Sequence, residues 1–436
     1  MFEVIGIIQN FLWQFPLPLM LLLLGLGLTI QLRAVQFRQF GKSLRLVFIK
    51  GAADSGDLSP FQSLMTALAG SIGTGNITGI ATAVAVGGFG ALFWMWLMAL
   101  LGMATAYTES YLSIKYREKN ALGLMSGGPM YVLKNAVNYK GLALTYAFLA
   151  AISALGIGCL VQSNSVVDAI TYTTNINPGV SAMGLTLITG AAIIGGVKSI
   201  GRVAGFLVPL MALCYIISGL YVLIYFYAKI PYAFFLIISS AFTGQAAAGA
   251  FVGSTLLMAI QNGVQYGIFA NEAGLGSLSI AAASARTNSP HNQGLIAAFG
   301  VFFSTLVICT ITGLVLAVTD VLGSTNLDGS LLKGSALAIK AFSGANTNLS
   351  WVVVFGLILF SFTTMLGWCY YGEKCLEYIF GVKIILPYRI CFIGVVFVGA
   401  LVDLNRAWSL ANLASALMAL PNILAMFILR KRLRPD

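Results

Sequence analysis

Apolar runs close to the roughly 20 residues that a helix needs to cross about 30 Å of hydrocarbon recur along the whole chain, and no alternating strand pattern competes with them. They predict about eleven spans, at 17–32, 61–86, 89–113, 143–171, 181–197, 203–228, 248–284, 293–319, 351–373, 384–402 and 407–430. Two spans are interrupted by glycines and polar residues: Gly70-Ser71-Ile72-Gly73-Thr74-Gly75-Asn76, and Gly267-Ile268-Phe269-Ala270-Asn271-Glu272-Ala273-Gly274-Leu275-Gly276. A helix that loses its hydrogen-bond ladder in hydrocarbon exposes backbone groups at several kcal/mol each, so such breaks persist only where protein, water or a ligand satisfies them. One break in each half of the chain is the pattern of a secondary transporter with its site near the membrane midplane.

Composition sets the same class. Of 436 residues, 59% are hydrophobic and 8% charged, against about 25% charged in a soluble globule. The first span opens with acidic Glu3, and its positive charges follow the apolar run. It therefore reads as a retained helix with its N-terminus outside, and not as a cleaved signal peptide. On that topology twenty of the 24 basic residues fall in cytoplasmic loops, among them Arg33, Arg38, Lys42, Arg45, Lys50 and Arg434. The net charge of +11 is thus the asymmetry of the positive-inside rule. No basic module interleaved with stacking aromatics supports nucleic-acid binding.

The six cysteines lie in or beside apolar spans without paired spacing and read as packing residues. His291 falls in an expected cytoplasmic turn, Ser289-Pro290-His291. No cluster has metal-ligand spacing, and no nucleophile motif or phosphate loop is present, so an enzyme and a resident cofactor are not expected.

Glycines 70, 73, 75 and 79 let the first break adopt backbone angles other residues avoid and approach a ligand closely. Unwound carbonyls would face a cation and the following half-helix would point N–H groups at a carboxylate. Thr74, Asn76 and Thr78 add side-chain groups, whereas Gly75 and Gly79 alone would also suit close helix packing. In the second break Glu272, between Asn271 and the pair Gly274 and Gly276, either caps the second half-helix or holds a proton. At least one of Gln261, Asn262 and Gln265 is expected to line a cavity. Gln162 and Asn164 suit either substrate contact or interhelical hydrogen bonding. Glu109, beside Lys115 and Arg117, reads as a structural anchor, and Arg33 to Lys50 as an interfacial stretch on anionic lipid.

The chain resembles the alanine or glycine:cation symporter family, also called sodium:alanine symporters. The likeness rests on residues 67–79, on Gly90-Ala91-Leu92-Phe93-Trp94-Met95-Trp96, Leu101-Gly102-Met103-Ala104 and Gly127-Gly128-Pro129-Met130-Tyr131, and on Asn271-Glu272-Ala273-Gly274-Leu275-Gly276-Ser277. It continues in Thr363-Thr364-Met365-Leu366-Gly367-Trp368, Tyr371-Gly372-Glu373 and Met418-Ala419-Leu420-Pro421-Asn422. The resemblance implies an all-α membrane protein with a LeuT-type core: two inverted five-helix repeats at 61–228 and 248–430, their first and sixth core helices broken. Around the core it places an extra N-terminal helix with a basic segment at 1–60, an extracellular connection at 229–247 and a basic tail at 431–436.

The resemblance further implies Na⁺-coupled inward symport of a small neutral amino acid, alanine or glycine, across a bacterial-type inner membrane, by a monomer in contact with lipid. Gly73, Thr74, Gly75, Asn76, Gln162, Thr364 and Trp368 would hold substrate; Gly70, Gly73, Thr363 and Thr364 the cation; Gly267, Asn271, Glu272, Gly274 and Gly276 the second break. Two departures from the family pattern replace a carboxylate with a neutral group, Ser304 and Asn412, which leaves the ion and its stoichiometry open between Na⁺ and H⁺. A larger substrate such as glutamine is the alternative, and a passive facilitator or cation channel the alternative from another class.

Overall fold

The computed structural model describes residues 2–48, 56–243, 256–325, 329–402 and 404–433. Eight of its helices, from Gly6–Gln31 to Ala411–Arg432, are long and apolar enough to cross a membrane. The other three segments read as spans are interrupted or short: Pro60–Ser71 with Thr78–Gly87, Leu256–Asn271 with Ser277–Ala282, and Pro178–Ile194. The start of the span read from 248, together with Lys50 and Arg434, lies outside the described residues.

The first span begins earlier than its apolar run. Helix Phe2–Gln14 precedes Pro16–Gln31, with Pro16 at the first helical position, where its missing N–H costs nothing. The stretch 229–247, read as a connection, contains the helix Ile230–Thr243. Its Ala233, Leu236 and Ile237 are buried while Tyr232, Phe235 and Phe242 are exposed, and Trp94 Nε1 donates to the Ala241 carbonyl at 3.1 Å.

The two broken helices lie at the centre. Ser59 caps Pro60–Ser71 through a reciprocal box with Gln62. Ser63 Oγ then donates to the Ala281 carbonyl of the second broken helix at 3.0 Å. Farther along, a Cβ added at Gly75 would stand 3.3 Å from the Phe269 carbonyl, and one at Gly79 3.2 Å from the Tyr266 ring. The glycines therefore pack the half-helices Thr78–Gly87 and Leu256–Asn271 together as well as freeing the break between them. Long helices Gly90–Tyr116, Pro290–Thr319 and Leu349–Phe380 flank this pair. Widened π turns at Gly156–Leu160 and Phe302–Cys309 fall beside the breaks.

Candidate functional site

Between Ser71 and Thr78 the first broken helix passes through extended Gly73 and a short 3₁₀ turn, Thr74–Asn76. One face of Leu349–Phe380 meets the carbonyls that end its first half. Thr364 Oγ1 donates to the Ile72 carbonyl at 3.3 Å, Trp368 Nε1 to Gly70 at 3.3 Å, and Tyr371 OH to Ala67 at 3.5 Å. The spacings of four and three residues put these donors on one helical stripe. Close approach is enforced by glycine: a Cβ at Gly73 would sit 2.5 Å from Thr364 Oγ1, and one at Gly70 2.5 Å from Tyr371 OH. Gln162 ties the far side, accepting Thr74 N at 3.2 Å and donating to the Ile157 carbonyl.

Two expected site residues turn elsewhere. Thr363 bonds back to the Leu359 and Phe360 carbonyls, both at 3.0 Å, because consecutive helix residues point about 100° apart and only one of the hydroxyl pair can face the break. Asn76 is fully buried away from both cavities described below. Its Oδ1 accepts Gly73 N at 3.0 Å, while Nδ2 reaches Ser304 Oγ at 3.0 Å, the Ser304 carbonyl at 3.2 Å and Cys309 Sγ at 3.2 Å. Thr312 Oγ1 donates to the Asn76 carbonyl at 2.9 Å, so this residue fastens the break to Pro290–Thr319. Ser304 in turn donates to the Ala270 carbonyl of the second break.

The second break turns through left-handed Glu272, Gly274 and Gly276. Asn271 Oδ1 accepts Ala273 N at 3.0 Å and its Nδ2 donates to Thr305 Oγ1 at 3.2 Å. Glu272 accepts the Ser277 hydroxyl at 2.6 Å. The backbone donors expected to meet Glu272 go to Glu109 instead: Glu109 Oε1 takes Gly274 N at 3.0 Å, Gly276 N at 3.1 Å and Asn422 Nδ2 at 2.6 Å. Glu109 is 3% exposed, so the residue read as an anchor beside Lys115 and Arg117 is a buried clamp on the second break. Gly267 packs on Met95 of Gly90–Tyr116, the helix that carries Glu109.

Gly70, Gly73, Gly75, Gln162, Glu272, Thr364 and Trp368 border a cavity of about 20 Å³, room for about one water. Next to it is a vestibule of about 520 Å³ lined by Gln9, Asn10, Thr78, Gln265, Tyr266 and Asn412 among others. Gly75, Ile157, Gln162 and Phe269 border both. Among the described residues the vestibule lining contains no charged one, and helix Phe2–Gln14 supplies part of it.

A family model described as the sodium:alanine symporter family matches residues 1–434. The chain belongs to the sodium:alanine symporter family. It is 43% identical over 433 residues to the sodium/alanine symporter AgcS of Methanococcus maripaludis, covering 98% of this chain and 94% of that one. An uncharacterized transporter of Haemophilus influenzae is 44% identical over 431 residues, with the same coverage. A probable sodium/glutamine symporter of Bacillus subtilis, GlnT, is 36% identical over 432 residues, 98% of this chain and 88% of that one. The crystal structure of MhsT in complex with L-phenylalanine shares the fold, with a TM-score of 0.60 at 14% identity over 87% of this chain and 90% of that chain.

The symporter is sealed on the face opposite the vestibule. Arg117 donates to the carbonyls of Ala283 at 2.7 Å, Ala285 at 2.8 Å and Thr287 at 2.6 Å. Leu58 pairs with Ala285, and Asp57 Oδ2 accepts Met125 N at 2.8 Å. Buried Lys374 pairs with Glu377 at 2.9 Å, and Glu373 takes Arg389 through two bonds at 2.7 and 3.0 Å. His291, read as part of a cytoplasmic turn, is 4% exposed inside the first turn of Pro290–Val301, bonded to Tyr107 OH at 2.7 Å and Gln39 Oε1 at 2.8 Å. Gln265 is the vestibule residue among the three polar candidates of its helix, while Asn164 donates to the carbonyls of Gly399, at the end of Ile385–Gly399, at 3.3 Å and of Val402 just beyond it at 2.9 Å.

Proposed function

We propose that this symporter moves a small neutral amino acid, alanine or glycine, into the cell together with Na⁺ by alternating access. The carrying observation is the stripe of Thr364 and Trp368 on the carbonyls of Ile72 and Gly70, at the border of the inner cavity. Carbonyl and hydroxyl oxygens are the ligands a hard cation takes, so Na⁺ is assigned to the Ile72 carbonyl and Thr364 Oγ1, with the Gly70 carbonyl beside them. The substrate carboxylate is assigned to the Gly75 N–H and to the Thr74 N–H, which Gln162 at the mouth releases as substrate enters, and the substrate side chain to the face of Trp368. Because Thr364 borders both ligands, each completes the other's site and their affinities are reciprocally coupled.

The vestibule opens on the side of Gly6 and Asn10, and the sealed face lies beside the basic stretch from Arg33. With the N-terminus outside a bacterial-type inner membrane, the vestibule is then extracellular. At about 20 Å³ the inner cavity must widen for any amino acid, so Phe269, Gln162 or Trp368 moves as substrate passes. The inverted repeats are assigned to 61–228 and 248–430 of a monomer. The names of AgcS and GlnT bracket the substrate size, and the narrow inner cavity favours the smaller.

The test is radiolabelled alanine uptake into proteoliposomes under an imposed Na⁺ gradient, with a proton gradient alone as the paired arm. Sodium-driven accumulation blocked by glycine is expected. Accumulation driven only by protons overturns the ion assignment, glutamine uptake without alanine uptake overturns the substrate, and equilibration without accumulation overturns symport.

A further inference from the structure

A groove of about 900 Å³ runs along the outer surface between helix Pro16–Gln31 and the last helix, Leu404–Leu429. Its walls are apolar and largely uncovered: Leu23 is 58% and Phe427 53% exposed. Gly27 leaves the groove open, since a Cβ added there would meet nothing within 4 Å. From Met20 to Ile30 the lined stretch rises about 15 Å, half the roughly 30 Å of hydrocarbon and so the depth of one leaflet.

One end of the groove is polar. Gln31 Nε2 donates to the Arg430 carbonyl, which ties the two helix ends together where the last helix passes into the turn Arg430–Arg432. Arg430 and Lys431 line this mouth, with the Arg430 guanidinium 4.1 Å from the centre of the Phe427 ring. Among the described residues the three ion pairs involve neither of them. Two cations at the headgroup end of a leaflet-deep apolar channel match an amphiphile with a negative head and long chains.

We propose that this groove is a binding site for an anionic diacyl phospholipid, its acyl chains along Leu23, Gly27 and Phe427 and its phosphate between Arg430 and Lys431. The groove shares no lining residue with the vestibule or the inner cavity, so the site stands whatever the symporter carries. A zwitterionic phospholipid has the same phosphate but sets an ammonium group against the two cations of the mouth, and free phosphate lacks the chains, so both halves of the site are needed.

The test uses the full purified chain in detergent, titrated with phosphatidylglycerol, phosphatidylcholine or glycerol phosphate, with retained lipid counted by native mass spectrometry. The native chain is expected to retain phosphatidylglycerol roughly tenfold or more over phosphatidylcholine, as two surface cations allow, and not to retain glycerol phosphate. Arg430→Gln with Lys431→Gln removes the preference while leaving the walls intact. Gly27→Leu projects a side chain into the groove from a position where a Cβ meets nothing within 4 Å, and abolishes retention with the charges in place. Equal retention of both lipids by the native chain overturns the proposal, as does native-like retention in either variant. A dimer that buries the groove also overturns it. Thermal unfolding of both variants in detergent alone separates lost binding from lost folding.

Discussion

Trp13 lies across Phe269, with ring centroids 5.2 Å apart and planes inclined by 34°, while its indole N–H donates to the Asn412 carbonyl at 3.0 Å. Helix Phe2–Gln14 thereby braces the ring that stands between vestibule and inner cavity. An aromatic pair of this kind contributes about 0.5–1.5 kcal/mol beyond its buried area. Trp13→Ala is expected to loosen Phe269 and admit larger side chains, so that glutamine competes with alanine uptake about three- to tenfold better. Trp13→Phe keeps the ring contact and is expected to stay near the native selectivity. The measurement is the ratio of inhibition constants for glutamine and glycine. An equal change in both means that Trp13 supports the fold without setting size.

The two neighbouring threonines are expected to separate cleanly. Thr364→Val keeps shape but removes the hydroxyl that meets Ile72, and lowers apparent Na⁺ affinity about tenfold or more, the loss of one hydrogen-bonding ligand at a charged site. Thr363→Val removes the bonds back to its own helix and a weak contact with Met211 Sδ at 3.6 Å, none of them to the break, and changes Na⁺ affinity by no more than about twofold. Sodium activation curves of uptake check both, and a matching loss in Thr363→Val contradicts the assignment.

Much of this site can be read from sequence because its ingredients are local. Glycine and polar residues inside an apolar run mark Gly73, Thr74 and Gly75, and helical spacing alone puts Trp368 one turn from Thr364. What sequence hides is the direction of a side chain and the distant backbone it meets. Asn76 sits in the right turn yet faces Ser304 and Cys309, because a 3₁₀ turn sends successive side chains about 120° apart. Glu109 is visible as an acid in an apolar helix, but nothing near it in sequence names Gly274 or Asn422 as its partners. Phe269 is one apolar residue among many until its position between two cavities is known.

His291 illustrates the same limit at the start of a helix. Ser289 and Pro290 mark a turn, and the structure places them at the cap and first position of Pro290–Val301. The packing of Tyr107 and Gln39 over that end buries the imidazole. His291→Ala is expected to remove one buried and one partly buried hydrogen bond and destabilise the fold by about 1–3 kcal/mol, with the larger part from the buried Tyr107 hydroxyl left without this partner. A lower unfolding temperature with an unchanged alanine KM in the surviving protein is the expected pair of results; a changed KM with native stability contradicts it.

Glu109 and Glu272 are expected to fail differently when neutralised. Glu109→Gln weakens three bonds that converge on one carboxyl oxygen, each contributing about 0.5–1.5 kcal/mol. The second break then loses its order, and both stability and maximal uptake fall. Glu272→Gln retains an acceptor for Ser277 and borders the inner cavity, so its effect falls on apparent substrate and Na⁺ affinity. Unfolding temperature and full uptake kinetics on both variants decide between these patterns.

Arg117 is placed to control which face opens. Its guanidinium spans three carbonyls of the segment after Ser277–Ala282, a reach that a planar fork has and an ammonium lacks. Arg117→Ala and Arg117→Lys both lose part of that span, and each charge-assisted bond lost removes about 1.5–3 kcal/mol from the sealed state. A two-state equilibrium shifted by that amount changes its populations by tenfold or more. A cysteine at Ala282, 2% exposed beside Ser71 and Leu64, reports the opening. In the Arg117→Ala background a thiol reagent applied from the sealed face is expected to label it about tenfold faster than in the native background, with Arg117→Lys in between. Unchanged labelling assigns the seal to the pairing of Leu58 with Ala285 and to Asp57 on Met125.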